Sequence, residues 1–322
     1  MTEPTEVSHS SQSKLAFIFP GQGSQAVGMG KELAEKYPIA RQTFEEADEA
    51  LGYKLSEVCF NGPEDQLRLT EVTQPAILTV SIAALRSLEG RVPKPSFVAG
   101  HSLGEYSAHV ASGTMTFADA VRTVRNRGKY MQEAVPVGVG SMAAILGMEF
   151  EKVTAVCQDA AHGEVCSPAN INSPEQIVIS GNTAAVERGT KLADERGAKR
   201  SKILPVSAPF HCSLMKPAQD RLQPDLNALK MQKPVYPVVC NVEASFVTDE
   251  LRSRETLVAQ VTGAVKWGQS MRLLIGNGVQ TMIEIGPGKV LCGLMRQIDR
   301  SVTCLNVGDE ASLSKTLSHL GV

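Results

Sequence analysis

The sequence has no C-x-x-C pair, no long apolar run, no internal repeat and no low-complexity tract. Its seven cysteines (Cys59, Cys157, Cys166, Cys212, Cys240, Cys292 and Cys304) are scattered, so neither a dithiol motif nor a metal site is expected. Their odd number precludes complete internal pairing, and reduced thiols in a cytoplasmic protein are the simple expectation. The longest nearly apolar stretch, Pro75 to Leu85, is interrupted by Thr79 and Ser81 and is too short for a bilayer, so no membrane span is expected. Neither sign of charge dominates: the formal net charge is -2 with 20% charged residues, which argues against a nucleic-acid or membrane-surface partner. Residues 1–13 lack the apolar core of a secretory signal and the basic character of a transit peptide, and a disordered tail is expected there.

What is present is an ordinary globular composition, 43% apolar over 322 residues, enough for a large unit and a smaller one. Leu15 to Phe19 reads as a buried strand running into the Pro20-Gly21-Gln22-Gly23 turn. Residues 74–88 and 117–135 carry helical periodicity. Phe97 to Gly100 reads as a second strand, followed by a turn at Ser102 and a helix from Leu103 to Ser112. Strands alternating with helices predict an α/β fold with a mostly parallel sheet covered on both faces. Between Ser141 and Pro205 the order becomes β-α-β-β-α-β, the ferredoxin-like unit. We therefore expect a large α/β domain over 14–138 and 207–322, interrupted by an inserted small domain over 139–206. Tyr236 to Asn241 and Thr281 to Ile285 read as returning strands of the main sheet.

Gly100-His101-Ser102-Leu103-Gly104 fits G-x-S-x-G after a strand and before a helix, where that motif exposes a nucleophilic serine. Unpaired N–H groups at the helix start favour negative charge, so the Leu103 N–H is a candidate oxyanion donor. The bland alternative is an N-cap serine in a tight turn. A serine hydroxyl needs a base within hydrogen-bond reach. Of six histidines, His9 lies in the tail, His319 near the end, His162 in a loop of the small unit and His109 two turns along the same helix. His101 adjoins Ser102, and its side chain is expected to point away. His211, in the Ser207-Ala208-Pro209-Phe210-His211 segment, remains. Intervening carboxylates fall mostly on small-unit helices, so a backbone carbonyl is expected to orient the imidazole.

On a helical projection of 117–135, Arg127 falls inside the apolar stripe of Phe117, Ala120, Val121, Val124 and Met131. A buried guanidinium needs an anionic partner. That partner is either an internal Asp or Glu, or a substrate carboxylate gripped by the bidentate fork that arginine offers. Gly21-Gln22-Gly23-Ser24-Gln25-Ala26 formally fits a dinucleotide fingerprint, but residues 38–51 read as a charged helix instead of the required second strand. Gln22 is better placed as a neighbour of the serine that completes an oxyanion hole.

With these residues in view, the chain resembles the malonyl-CoA:acyl carrier protein transacylases of type II fatty acid synthesis. The resemblance runs from Phe19–Gln25 through Gly100–Tyr106, Arg127-Gly128-Lys129, Asn170–Pro174 and Pro209-Phe210-His211 to Gly286–Gly293. It implies an α/β-hydrolase-like core with an inserted ferredoxin-like domain. By position it implies that Ser102 is the nucleophile, His211 its base and a carbonyl near Gln260 the orienting group. Arg127 would hold the malonyl carboxylate, Gln22 and the Leu103 N–H would form the oxyanion hole, and Asn172 and Met142 would line the cleft. Phe210 would form a wall near the α-carbon that disfavours methylmalonyl. Malonyl-CoA and acyl carrier protein are the expected partners, with CoA and phosphopantetheine thioesters as substrates and no resident cofactor or metal. A monomer is expected. Lys199, Arg200 and Lys202, or Lys289 and Arg296, are candidates to meet an acidic carrier. Three rivals remain: a serine hydrolase, a non-catalytic carrier-binding module, and a free-standing polyketide acyltransferase.

Overall fold

A computed structural model describes residues 14–206 and 208–322, and the stretch read as a tail lies outside them. The chain opens with β1 (Lys14–Phe19) and five helices, α1 (Lys31–Lys36), α2 (Pro38–Leu51), α3 (Leu55–Asn61), α4 (Glu64–Leu67) and α5 (Thr70–Leu88). Next come β2 (Phe97–Gly100), α6 (Leu103–Ala111) and α7 (Phe117–Glu133). A second unit follows: β3 (Gly140–Leu146), α8 (Phe150–Ala161), β4 (Cys166–Ser173), β5 (Gln176–Asn182), α9 (Thr183–Glu195) and β6 (Arg200–Ile203). The chain then returns through α10 (Lys216–Ala228), β7 (Val238–Val239), β8 (Phe246–Val247), α11 (Glu250–Gln260) and α12 (Trp267–Gly276). It closes with β9 (Val279–Ile285), α13 (Val290–Ile298), β10 (Thr303–Val307) and α14 (Glu310–Leu320).

The main sheet has the order β10-β9-β1-β2-β7-β8 and is parallel except at the short β7–β8 hairpin. Its central strand, Leu-Ala-Phe-Ile-Phe at 15–19, is buried on both faces, as a parallel strand covered by helices must be. On one side lies α5, buried around nearly its whole circumference between α2 and α7. The helix α7 starts where the Thr116 hydroxyl accepts the Asp119 N–H at 3.1 Å. It turns Phe117, Val121, Val124, Arg127 and Met131 inward.

The second unit folds as a four-stranded antiparallel sheet of order β4-β5-β3-β6, carrying α8 and α9, with the β-α-β-β-α-β sequence expected. It is tied to the main unit by β4: Ile171 N–H donates to Val265 O, and Val265 N–H donates to Ala169 O, each at 2.8 Å. The Ser173 hydroxyl adds a 2.6 Å bond to Gln297.

Three expectations are corrected. The strand read over 236–241 shortens to Val238–Val239, because Pro237 cannot donate to a ladder. An edge strand, β10, appears where no strand was read; its residues are mostly half-buried and give a weak pattern. Finally, α13 lies against β10, bringing the Cys292 and Cys304 Cα atoms to 5.4 Å in a disulfide, so these two are not reduced thiols. The other five cysteines are free.

Candidate active site

The parallel pairing of β1 with β2 aligns Phe19 with Gly100, so the two strands deliver their carboxyl-end loops side by side. Ser102 sits at the sharp turn from β2 into α6 with φ 51° and ψ -107°, a sparsely populated positive-φ conformation that costs a non-glycine residue about 1–3 kcal/mol. The flanking glycines permit the turn: a Cβ on Gly100 would collide with the Gly104 carbonyl, and one on Gly104 with the Phe19 carbonyl. Three hydrogen bonds hold the strained turn. Asn241 Oδ1 accepts the Ser102 N–H at 2.6 Å, Asn241 Nδ2 donates to Gly100 O at 2.7 Å, and Gln260 Nε2 donates to Ser102 O at 3.0 Å. Leu103 opens α6, where the first-turn N–H groups have no partner within the helix.

His211 stands where the chain re-enters the main unit, itself at a positive φ of 60°. Its Nε2 is 2.8 Å from Ser102 Oγ and its Nδ1 is 3.0 Å from the Gln260 carbonyl oxygen. A carbonyl only accepts, so Nδ1 carries the hydrogen and Nε2 presents a lone pair to the serine hydroxyl. Burial, reinforced by the Arg127 charge, pushes the imidazole down to about 3, which keeps it neutral and able to accept a proton.

Arg127 is buried, as the apolar stripe required, but no carboxylate among the described residues pairs with it. Its partners are neutral amides: Nη1 donates to Gln74 Oε1 at 2.7 Å and Nη2 to Gln260 Oε1 at 2.9 Å. Nη2 also reaches Ser102 Oγ at 3.2 Å, and the guanidinium lies 5.5 Å from the Tyr106 ring centre. Burial holds its pKa below the ordinary arginine value. Of the two partners the sequence allowed, the internal acid is thus absent. The nearest candidate, Glu105, touches the amide of Gln260 and not the guanidinium.

Ser102, His211 and Arg127 open onto one cavity of about 120 Å³, with Gln22, Met142 and Phe210 also on its walls. The cavity continues past Gln22, Leu204 and Val206 into a wider opening of about 620 Å³, rimmed by Gln25, Glu64 and Arg68. Two placements differ from expectation. His101 does not point away; it lines the cavity, and its Nε2 hydrogen bonds Asn172 Oδ1 at 2.8 Å. Asn172 is engaged there, and Asn170, two residues earlier on β4, is the asparagine on the cavity wall. Gln74, Glu105 and Asn241 were not singled out from sequence. The one available signal was a glutamine or glutamate on a helix buried nearly all round.

The acyl transferase domain family matches this chain over residues 16–314. A relative from Bacillus subtilis, malonyl CoA-acyl carrier protein transacylase, is 48% identical over 96% of this chain and 98% of its own length. An acyl carrier protein S-malonyltransferase from Vibrio cholerae superposes with a TM-score of 0.92 at 47% identity, covering 94% of this chain and 100% of that one. A malonyl-transacylase solved in complex with its type II polyketide synthase acyl-carrier protein gives a TM-score of 0.93 at 44% identity, over 95% of this chain and 100% of that one. The chain therefore belongs to the acyl transferase domain family, and its relatives there are malonyl CoA-acyl carrier protein transacylases.

Proposed function

We propose that this chain transfers a malonyl group from coenzyme A to the pantetheine thiol of acyl carrier protein through an ester on Ser102. The observation that carries the reading is a buried guanidinium that no carboxylate among the described residues pairs with, 3.2 Å from the Ser102 hydroxyl. A carboxylate-bearing acyl group would bring the counter-charge that no described carboxylate places in contact with it. Relatives nearly half identical along the whole chain bear this activity in their names, which supports the substrate and the acceptor.

In the first half-reaction, Ser102 Oγ attacks the thioester carbon while His211 Nε2 takes the hydroxyl proton. The oxyanion that forms is met by backbone N–H groups at Gln22 and Leu103. The carbon–sulfur bond then breaks, and His211 returns the proton to the departing thiolate of coenzyme A. In the second half-reaction the carrier's thiol gives its proton to His211 and attacks the ester, and as the ester's carbon–oxygen bond breaks His211 returns that proton to Ser102 Oγ. Throughout, Arg127 holds the malonyl carboxylate, its contact with Ser102 Oγ giving way to the substrate. Phe210 closes the wall near the α-carbon and disfavours a methyl branch there. Arg200 and Lys202 stand exposed on the edge strand β6, whose end leads to the cavity mouth at Leu204, and they attract an acidic carrier. Lys199 is already paired with Glu175 at 2.8 Å.

Incubation with malonyl-CoA followed by intact mass measurement tests the proposal. The native chain should gain one malonyl group and Ser102→Ala none. Release of free malonate with no carrier present, at the rate of the transfer reaction, would replace the transferase reading with that of a hydrolase.

A further inference from the structure

Glu105 has no part in the chemistry above, yet it is completely buried one turn along α6 from Ser102. One of its carboxylate oxygens, Oε2, accepts two hydrogen bonds: the Asn241 backbone N–H at 3.0 Å and Gln260 Nε2 at 2.7 Å. The other, Oε1, is buried without a hydrogen-bond partner. Both residues bound by Oε2 are the clamps on the strained serine turn, Asn241 at the Ser102 N–H and Gln260 at the Ser102 carbonyl. Gln260 also accepts from Arg127 through Oε1 and from His211 through its backbone carbonyl.

An amide can be turned over, exchanging its oxygen and nitrogen. An acceptor at Glu105 Oε2 settles the orientation of Gln260: with Nε2 drawn to Glu105, Oε1 must face Arg127. The reverse orientation would set an N–H₂ group against the guanidinium and remove the shorter of the two hydrogen bonds that Nη2 makes. We propose that Glu105 is a positioning residue for acyl selection: as a hydrogen-bond acceptor, and not as a charge, it fixes the Gln260 amide and thereby aims Arg127 at the substrate carboxylate. Burial pushes the Glu105 carboxyl up to about 7, so its charge varies near neutrality while an acceptor oxygen is present in both protonation states.

Two conservative variants separate acceptor from charge. Glu105→Gln keeps the reach and an acceptor oxygen but removes the charge. Glu105→Asp keeps the charge but withdraws the acceptor by about 1.5 Å, one carbon–carbon bond. The inference rests on the malonyl transfer proposed above, so each variant is compared with the native chain for malonyl and for acetyl transfer. Glu105→Gln should keep malonyl kcat/KM and the malonyl-to-acetyl ratio within about threefold of native. Glu105→Asp should lose about 10²-fold in malonyl kcat/KM, the scale of a 1 Å misplacement. Its malonyl-to-acetyl ratio should fall at least tenfold. The reverse ranking, equal losses on the two acyl groups in Glu105→Asp, or native behaviour of Glu105→Asp would each overturn the inference. Labelling of Ser102 by a fluorophosphonate, which needs no carboxylate, keeps the two readings apart. A native chain that is labelled but takes no malonyl ends the transferase proposal, whereas a Glu105→Asp labelling rate that falls as far as its malonyl transfer places the fault at Ser102 and overturns the inference.

Discussion

Arg127 is the residue on which the choice of acyl group turns, because its two amide partners satisfy N–H groups without cancelling the charge. Truncating one member of a buried, hydrogen-bonded charge pair typically costs about 2–5 kcal/mol. Arg127→Ala should therefore lower malonyl kcat/KM by about 10²-fold or more while acetyl transfer stays within about tenfold of native, measured by steady-state kinetics on both coenzyme A esters. A parallel fall in the two activities would remove the carboxylate role. The arginine was legible in the sequence because a charge inside an apolar helical stripe breaks the pattern around it. Gln74, Glu105 and Asn241 broke no such pattern, since each is a plain polar residue whose meaning comes from partners 53, 155 and 136 positions away. His101 was misread for a related reason: alternation along an extended chain turns neighbours apart, but the turn at Ser102 is not extended.

Among the elements, those with a strong local rhythm were read closely. The strand at 15–19, the helix opening at Leu103 and the β-α-β-β-α-β order between 140 and 203 all fell where periodicity put them. β7 and β10 did not, because two residues or a half-buried edge carry too little pattern. The helix α6 brings a further consequence at this scale, since it buries His109 with no hydrogen-bond partner on either ring nitrogen. Burial pushes this imidazole down to about 3, as it does in His211, against an ordinary value near 6.5. Between those values the unfolded chain binds protons that the folded chain refuses, so the two histidines cost stability as pH falls from about 6.5 toward 3. Glu105, with a folded pKa raised to about 7, acts in the opposite sense, its contribution being present below its ordinary value and lost as pH rises through 7. Replacing His109 by leucine should make the fall of Tm on acidification from pH 6.5 shallower than in the native chain. An unchanged slope in thermal melts across that range would clear His109 of the acid sensitivity.

On the scale of the whole molecule, the cavity lies where the main sheet's carboxyl ends meet the second sheet, and the seam is made by β4 against the Val265 segment. The single tryptophan, Trp267, is buried beside that seam, with its ring centre 5.5 Å from that of His101. Urea titrations should therefore show tryptophan emission and malonyl transfer disappearing together. Activity lost while emission is unchanged would mean that the site depends on some other part of the fold. The order of the parts along the chain has its own result. Ser102 is followed by its base only 109 positions later, after the entire second unit has been laid down, and the Gln260 carbonyl comes later still. A ribosome that has released Ser102 and α7 holds a hydroxyl with nothing to activate it. A serine hydroxyl is a weak nucleophile without its base, so reactivity toward thioesters should require the segments that carry His211 and Gln260 as well as the one that carries Ser102.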